Sequence, residues 1–304
     1  MIDVGTNSIK LLVAEIDSNG LLPIHEESKQ TRLGKSFYET RNLLPEAIAR
    51  TAEAVGYFAE VARQHGAGKV RVIATSAARD AVNGEELTRS IREVSRLDTE
   101  IISGEQEAEF VFRGVATDPQ LTGRRLLILD VGGGSTELIV GEGEHHTFRR
   151  SFELGSVRLL ERLQPGDPSS AEDLRNCRGF LEEFFNKTIG PALNSALADT
   201  SQFSIVGTGG TTTILARMEK QLSTFSRAEI EGTVIQLDRV RFWMDKLWSA
   251  SIATRKSIIG LPPNRADIIP MGIAIYEMLM TRLRFNELFV STRGLRFGAL
   301  IENE

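Results

Sequence analysis

Asp3-Val4-Gly5-Thr6-Asn7-Ser8-Ile9-Lys10-Leu11-Leu12-Val13 returns as Asp130-Val131-Gly132-Gly133-Gly134-Ser135-Thr136-Glu137-Leu138-Ile139-Val140. Six of the eleven columns are identical: Asp, Val, Gly, Ser, Leu and Val. In both copies an apolar run leads into Asp-x-Gly, a small hydroxyl-bearing turn follows, and apolar residues resume. That pattern reads as strand, tight turn, strand. Glycine lets the backbone turn sharply and approach a ligand closely, and the turn amides can line an anion-binding concavity. A carboxylate beside such a nest repels phosphate directly, so it suits a metal that bridges to the phosphate. One Asp-x-Gly hairpin alone reads equally as an ordinary turn. An incidental turn has no reason to recur with its flanking strands intact, and two such loops facing each other would grip a polyphosphate between two lobes.

Working outward from the repeat, 304 residues suggest about two domains at roughly 150 residues each. The composition, 41% hydrophobic and 25% charged, is that of an ordinary globular chain. No stretch approaches the roughly 20 apolar residues of a membrane span, and no basic-then-apolar secretory signal opens the sequence, so cytoplasm is the expected location. The net charge of −5 argues against a broad nucleic-acid surface. It leaves room for a polyanionic substrate held by a local cluster of Arg and Lys with a divalent cation. The single cysteine, Cys177, excludes an intramolecular disulfide and, in a helical stretch, reads as a packing residue.

The periodicity predicts strands at about 2–5, 10–16 and 21–30, with a hairpin turn at Asp17-Ser18-Asn19-Gly20. A helix follows over 45–64, with Ile48, Ala52, Val55, Phe58, Ala59 and Ala62 on one face. Then come a strand at 70–74, a helix at 84–96, a strand at 100–102 and a helix at 105–116. Asp118-Pro119 through Gly123-Arg124 is the linker candidate. The plan then repeats: strands at 125–130, 136–141 and 147–153, a long helix over 170–189, and a strand at 203–206 entering the glycine turn Gly207-Thr208-Gly209-Gly210. Helices near 237–248 and 267–283, a strand at 287–290 and a closing helix complete the chain. The expected domains are 1–120 and 121–304, the last helix being a candidate to pack back on the first.

These units resemble the actin-like ATPase and sugar-kinase superfamily, and within it the exopolyphosphatase/guanosine-pentaphosphate phosphatase family in its short two-domain form. The resemblance is carried by both repeat copies and by Thr75-Ser76-Ala77-Ala78-Arg79, Ile102-Ser103-Gly104-Glu105-Gln106-Glu107-Ala108 and Glu153-Leu154-Gly155-Ser156-Val157-Arg158-Leu159. Gly207-Thr208-Gly209-Gly210-Thr211, Arg265-Ala266-Asp267 and Gly294-Leu295-Arg296 add to it. Each segment is weak alone; eight in order are specific. The fold it implies is α/β, two actin-like (ribonuclease H-like) lobes of mixed sheets flanked by helices, with the active site in the cleft between them.

The resemblance implies that Gly5, Thr6, Asn7 and Ser8 cradle phosphate together with Gly132, Gly133, Gly134, Ser135 and Thr136. It implies that Asp130 and Glu137 hold Mg²⁺, with Mn²⁺ as a substitute, and that Glu107 activates water. Phosphoryl transfer needs such an in-line nucleophile, with cations spreading the developing charge. Glu107 also reads as a carboxylate that merely suits the start of its helix, alongside Glu105 and Glu109; the neutral Gln106 departs from the family's commoner acidic run. Arg79 can fork onto phosphate oxygens, and Arg265 corresponds to a basic residue near substrate. Arg32, Arg293 and Arg296 are second-rank. Gly207, Thr208, Gly209 and Gly210 are candidates for a nucleotide or second phosphate.

The activity implied is Mg²⁺-dependent removal of the terminal phosphate of inorganic polyphosphate. The alternative within the family is 5′-phosphohydrolysis of guanosine pentaphosphate. A non-catalytic polyphosphate or alarmone sensor and a small kinase are rivals from other classes. A homodimer is a candidate assembly. His25, His65, His145 and His146 show no metal-ligand spacing and no His-Asp pair occurs. No Gly-x-x-x-x-Gly-Lys-Ser/Thr loop and no Gly-x-Gly-x-x-Gly is present.

Overall fold

Each copy of the repeat is a hairpin at the start of its own sheet. The computed structural model describes residues 1–17, 20–194, 196, 197 and 202–301. Residues 18 and 19, within the expected Asp17–Gly20 turn, lie outside the described set. The chain forms two compact units, Met1–Thr117 together with the stretch from Leu295, and Asp118–Gly294. The division falls after Thr117 rather than after Gln120. The expected linker is folded into the second unit: Asp118 accepts from the Gln120 amide at 3.0 Å to cap the turn Pro119–Leu121, and Leu121 is buried.

In the first unit β1 (Ile2–Val4), β2 (Ser8–Asp17), β3 (Gly20–Gln30), β4 (Val72–Ala74) and β5 (Thr99–Ile101) form one sheet in the order β3-β2-β1-β4-β5. The hairpin pairs β1–β2 and β2–β3 are antiparallel, and β1–β4 and β4–β5 are parallel. Antiparallel strands can be joined by tight turns, whereas parallel strands need helical crossovers. The order therefore follows from three hairpin-linked strands succeeded by alternating helices and strands. Helix Pro45–Gln64 buries Ile48, Ala52, Val55, Phe58, Ala59 and Ala62, the face its spacing predicts.

The second unit repeats the plan with β6 (Arg125–Val131), β7 (Thr136–Glu142), β8 (His145–Phe152), β9 (Phe203–Thr208), β10 (Val234–Gln236) and β11 (Glu287–Val290). Their order is β10-β11-β9-β6-β7-β8, so β8-β7-β6-β9-β11 reproduces the first sheet and β10 adds an antiparallel edge. The repetition reaches irregular detail. The register slips between Val13 and Ala14 in β2 and between Val140 and Gly141 in β7, adjacent to the same column of the repeat. Both units are thus mixed sheets flanked by helices, the actin-like architecture.

Three readings of the second unit need correction. Gly207 and Thr208 are not a turn: they end β9, and the chain turns into helix Gly209–Glu219 at Gly209. The helix expected over 170–189 is regular from Ala171 to Phe184 and widens to a π-turn over Phe185–Ile189. Strand β10, only three residues long, and helix Ser156–Leu163, which spans just over two turns, were not predicted. Cys177 is fully buried, and burial pushes its thiol up to about 12, the state of an inert packing residue. Among the described residues no helix is long and apolar enough to cross a membrane.

In the first unit the closing helix Leu295–Ile301 packs on helix Gly104–Ala116. Arg71 Nη1 donates to the Ala299 carbonyl at 3.0 Å. A side chain at Gly298 would begin 1.9 Å from the Phe110 carbonyl oxygen, so the two helices meet backbone to backbone there. Gly298→Ala is expected to lower stability by about 1–3 kcal/mol, the cost of overpacking a tight contact. The midpoint of urea denaturation reads it, and an unchanged midpoint would show that the helices separate at little cost.

Candidate active site

The first unit's hairpin loop is closed by the Gly5 amide donating to the Ser8 carbonyl at 3.0 Å. Its outward carbonyls are taken by a neighbouring turn: Arg32 N donates to Asn7 O at 3.0 Å and Gly34 N to Thr6 O at 2.7 Å. Gly34 is required by closeness, since a Cβ there would lie 2.4 Å from Thr6 Cγ2. With the carbonyls held on one side, the amides of Thr6 and Asn7 have no acceptor among the described residues. Asn7 Nδ2 is buried and likewise unpartnered. Arg32 thus contributes its backbone to the loop, and Arg296 spends its guanidinium on Leu11 O at 2.7 Å and Glu26 at 3.1 Å.

Alongside, β4 leads to Thr75, whose amide donates to Val4 O at 3.2 Å, and then to the short helix Ser76–Asp80. Beyond β5, Ser103 caps helix Gly104–Ala116 through a reciprocal pair with Gln106. Gln106 donates its amide to Ser103 Oγ at 3.1 Å, and its side-chain oxygen accepts from the Ser103 amide at 3.0 Å. The neutral residue at 106 is therefore a cap, and Glu107 is not needed for one. Glu107 turns inward to 8% exposure and accepts from Arg79 Nη1 at 3.0 Å. Arg79 also donates to Ile102 O at 3.2 Å. Sequence reading treated Arg79 and Glu107 as separate elements; the structure joins them as one ion pair.

In the second unit the Gly132 amide donates to Ser135 O at 3.0 Å, the same closure as in the first. The loop carbonyls are held by the start of helix Ser156–Leu163. Ser156 N donates to Gly132 O at 3.0 Å, Val157 N and Arg158 N to Gly133 O at 2.8 and 3.1 Å, and Arg158 Nε to Gly134 O at 2.9 Å. Among the described residues the amides of Gly133, Gly134 and Ser135 have no acceptor, which leaves them for an anion. Thr136 belongs to β7, is fully buried and gives its hydroxyl to Leu154 O at 2.5 Å, so it fastens the loop instead of lining it.

Asp130 and Glu137 are direct cross-strand partners, and such residues share a face of the sheet. Asp130 packs against Gly209, whose φ of +84° favours glycine and where a Cβ would fall 2.1 Å from Asp130 Oδ1. Below them Tyr276 donates to Leu129 O at 3.2 Å and bonds Thr212, tying β6 to the helix after β9. Burial holds its phenol far above the ordinary range, so it stays a hydroxyl. In the first unit the equivalent pair is Asp3 opposite Lys10. Burial pushes the Asp3 carboxyl up, and Lys10 and Arg296 oppose the shift. Where the second unit sets a second acid across from Asp130, the first unit sets a lysine across from Asp3, so the two-acid arrangement belongs to the second unit. No group of three or more His, Cys, Asp or Glu is arranged to bind a metal among the described residues. Two carboxylates with the remaining positions left to water and phosphate fit Mg²⁺, which takes few protein ligands.

Of the other expected contacts, Gly207 and Thr208 are buried within β9, so only Gly209 and Gly210 stay partly open. Arg265 sits half-buried at the end of the turn Pro263–Arg265 before helix Ile269–Leu283. Sequence reading missed the loop supports at Arg32–Gly34 and Gly155–Arg158. The one visible signal was Gly155 standing just before an apolar-periodic run.

Two sheets of one strand order, each opening on a hairpin with free turn amides, define an actin-like enzyme of phosphoryl chemistry. The chain belongs to the Ppx/GppA phosphatase family, whose profile matches residues 12–304. It is 32% identical over 292 residues to Exopolyphosphatase 2 of Mycobacterium tuberculosis, covering 93% of this chain and 90% of that one. It is 27% identical over 301 residues to the guanosine-5′-triphosphate,3′-diphosphate pyrophosphatase of Vibrio atlanticus, covering 99% of this chain but 58% of that one. A solved exopolyphosphatase from Cytophaga hutchinsonii superimposes with a TM-score of 0.89 at 27% identity, covering 99% of this chain and 96% of that one.

Proposed function

We propose that this chain is an exopolyphosphatase, hydrolysing the terminal phosphoanhydride of inorganic polyphosphate. The observation that carries the reading is the inward pair of Arg79 and Glu107, a carboxylate freed from helix capping and fixed by a guanidinium. The turn amides of each hairpin, taken by itself, suit non-bridging phosphate oxygens, and the Arg79 guanidinium brings positive charge that suits phosphate as well. Glu107 orients a water and takes its proton as the water oxygen bonds to the terminal phosphorus. The bridging P–O bond breaks, orthophosphate leaves and the polymer is one unit shorter. Asp130 and Glu137 would hold Mg²⁺, which when bound neutralises charge on the phosphate oxygens.

Guanosine pentaphosphate offers a similar triphosphate end and is the second reading. Polyphosphate is favoured because the relative named for it aligns along 90% of its length, against 58% for the guanosine-named one. Action in the cytoplasm and assembly as a homodimer belong to the same proposal. Orthophosphate release should be fastest from polyphosphate when long polyphosphate, tripolyphosphate, guanosine pentaphosphate and ATP are compared side by side. Excess EDTA should abolish it, and added Mg²⁺ or Mn²⁺ should restore it. Faster release from guanosine pentaphosphate would install the second reading, and no release from any would leave a sensor. Full activity in chelator would remove the metal.

A further inference from the structure

Glu137 stands in a row that crosses neighbouring strands. Asp130 of β6 lies opposite Glu137 of β7, and Glu137 lies opposite Ser151 of β8. The Ser151 hydroxyl donates to Glu137 Oε1 at 2.7 Å. Glu137 is 1% exposed, and a carboxylate so buried is costly unless hydrogen bonds or an opposite charge compensate it. Beside it stands a second carboxylate, and like charges at cross-strand distance push each other apart.

The first unit has the same register with a different middle residue: Asp3 lies opposite Lys10, and Lys10 opposite Ser28. There the serine lies opposite an amine, which in turn lies opposite an acid. Only in the second unit does the serine meet an acid facing another acid. A hydroxyl is also the right chemistry there. It orients one carboxylate oxygen without bringing a positive charge that would compete with a cation.

We propose that Ser151 is a positioning residue for the divalent-cation site, fixing the Glu137 carboxylate so that Glu137 and Asp130 face one ion. The inference rests on the metal reading given above. Partners of this kind orient ligands, and losing one weakens metal affinity about 10- to 100-fold.

The test follows free Mn²⁺ by its paramagnetic resonance signal in titrations of the full chain. Ser151→Ala should bind Mn²⁺ about 10- to 100-fold more weakly than the unmodified chain, and Ser151→Thr should bind nearly as well. The Mg²⁺ needed for half-maximal orthophosphate release should rise in step, while turnover at saturating Mg²⁺ falls far less. If Ser151→Ala does not fold, Ser151→Thr against Ser151→Val makes the same comparison at constant shape. Equal Mn²⁺ affinity with and without the hydroxyl, in a chain that does bind Mn²⁺, overturns the role of Ser151 alone. An unmodified chain that takes up no Mn²⁺ overturns the metal reading and this inference with it.

Discussion

Glu107→Gln is expected to lower turnover by about 10²–10⁴-fold, the range for losing a general base, while substrate binding largely survives. The amide keeps the shape and can still accept from Arg79 Nη1, which sits 3.0 Å from the native carboxylate. Arg79 also keeps Ile102 O at 3.2 Å and Asp80 at 3.8 Å. The helix start is unaffected, because Ser103 and Gln106 cap it between themselves. What the variant loses is the ability to take a proton from water. Orthophosphate release reads turnover, calorimetry with tripolyphosphate reads binding, and circular dichroism confirms the fold. Near-normal turnover in a folded variant would leave the Arg79–Glu107 pair as a structural tie only.

The repeat was legible because it is local. Asp-x-Gly with its flanking apolar residues names strand, turn and strand within eleven columns, and the two hairpins form with the same closing bond. The helical face of 45–64 was legible for the same reason, a period visible in one window. The loop supports were not, because they are set by tertiary closeness. Nothing near Gly5–Ser8 announces that the backbone at Arg32–Gly34 will take its carbonyls. Nothing at Glu137 announces Ser151, fourteen residues on. Gly207 and Thr208 were misread because glycines beside a threonine look like a turn, whereas Gly207 is there for packing: a Cβ would lie 2.9 Å from Thr212 Cγ2. Glu107 was the hardest residue, since a carboxylate in a first helical turn is also what capping favours. The cap filled by Ser103 and Gln106 shows that Glu107 is not needed for capping and leaves its role to the turnover measurement.

Gly155→Ala should be nearly as damaging to activity as losing Glu107, although Gly155 carries no side chain to do chemistry. Its φ of −149° is open to any residue, so the effect is steric alone. A Cβ there would stand 2.4 Å from Gly133 O, 2.5 Å from Gly133 C and 2.6 Å from Gly134 C. All three are backbone atoms of the loop, so no side chain can swing away and the loop itself must move. The bonds from Ser156, Val157 and Arg158 that hold its carbonyls would stretch, and the amides of Gly133, Gly134 and Ser135 would lose their common aim. A displacement of about 1 Å in a positioning element can cost on the order of 10²-fold in rate. We therefore expect turnover on polyphosphate to fall about 10²-fold. The fold should survive, because the core of the second unit, with Leu127, Leu129, Leu138, Leu215 and Leu288 fully buried, draws most of its residues from elements other than the loop. Circular dichroism and the denaturation midpoint check the fold, and orthophosphate release checks the rate. Unchanged turnover in Gly155→Ala would mean that the Gly132–Ser135 amides do not bind the reacting phosphate, and the second hairpin would then act through Asp130 and Glu137 alone.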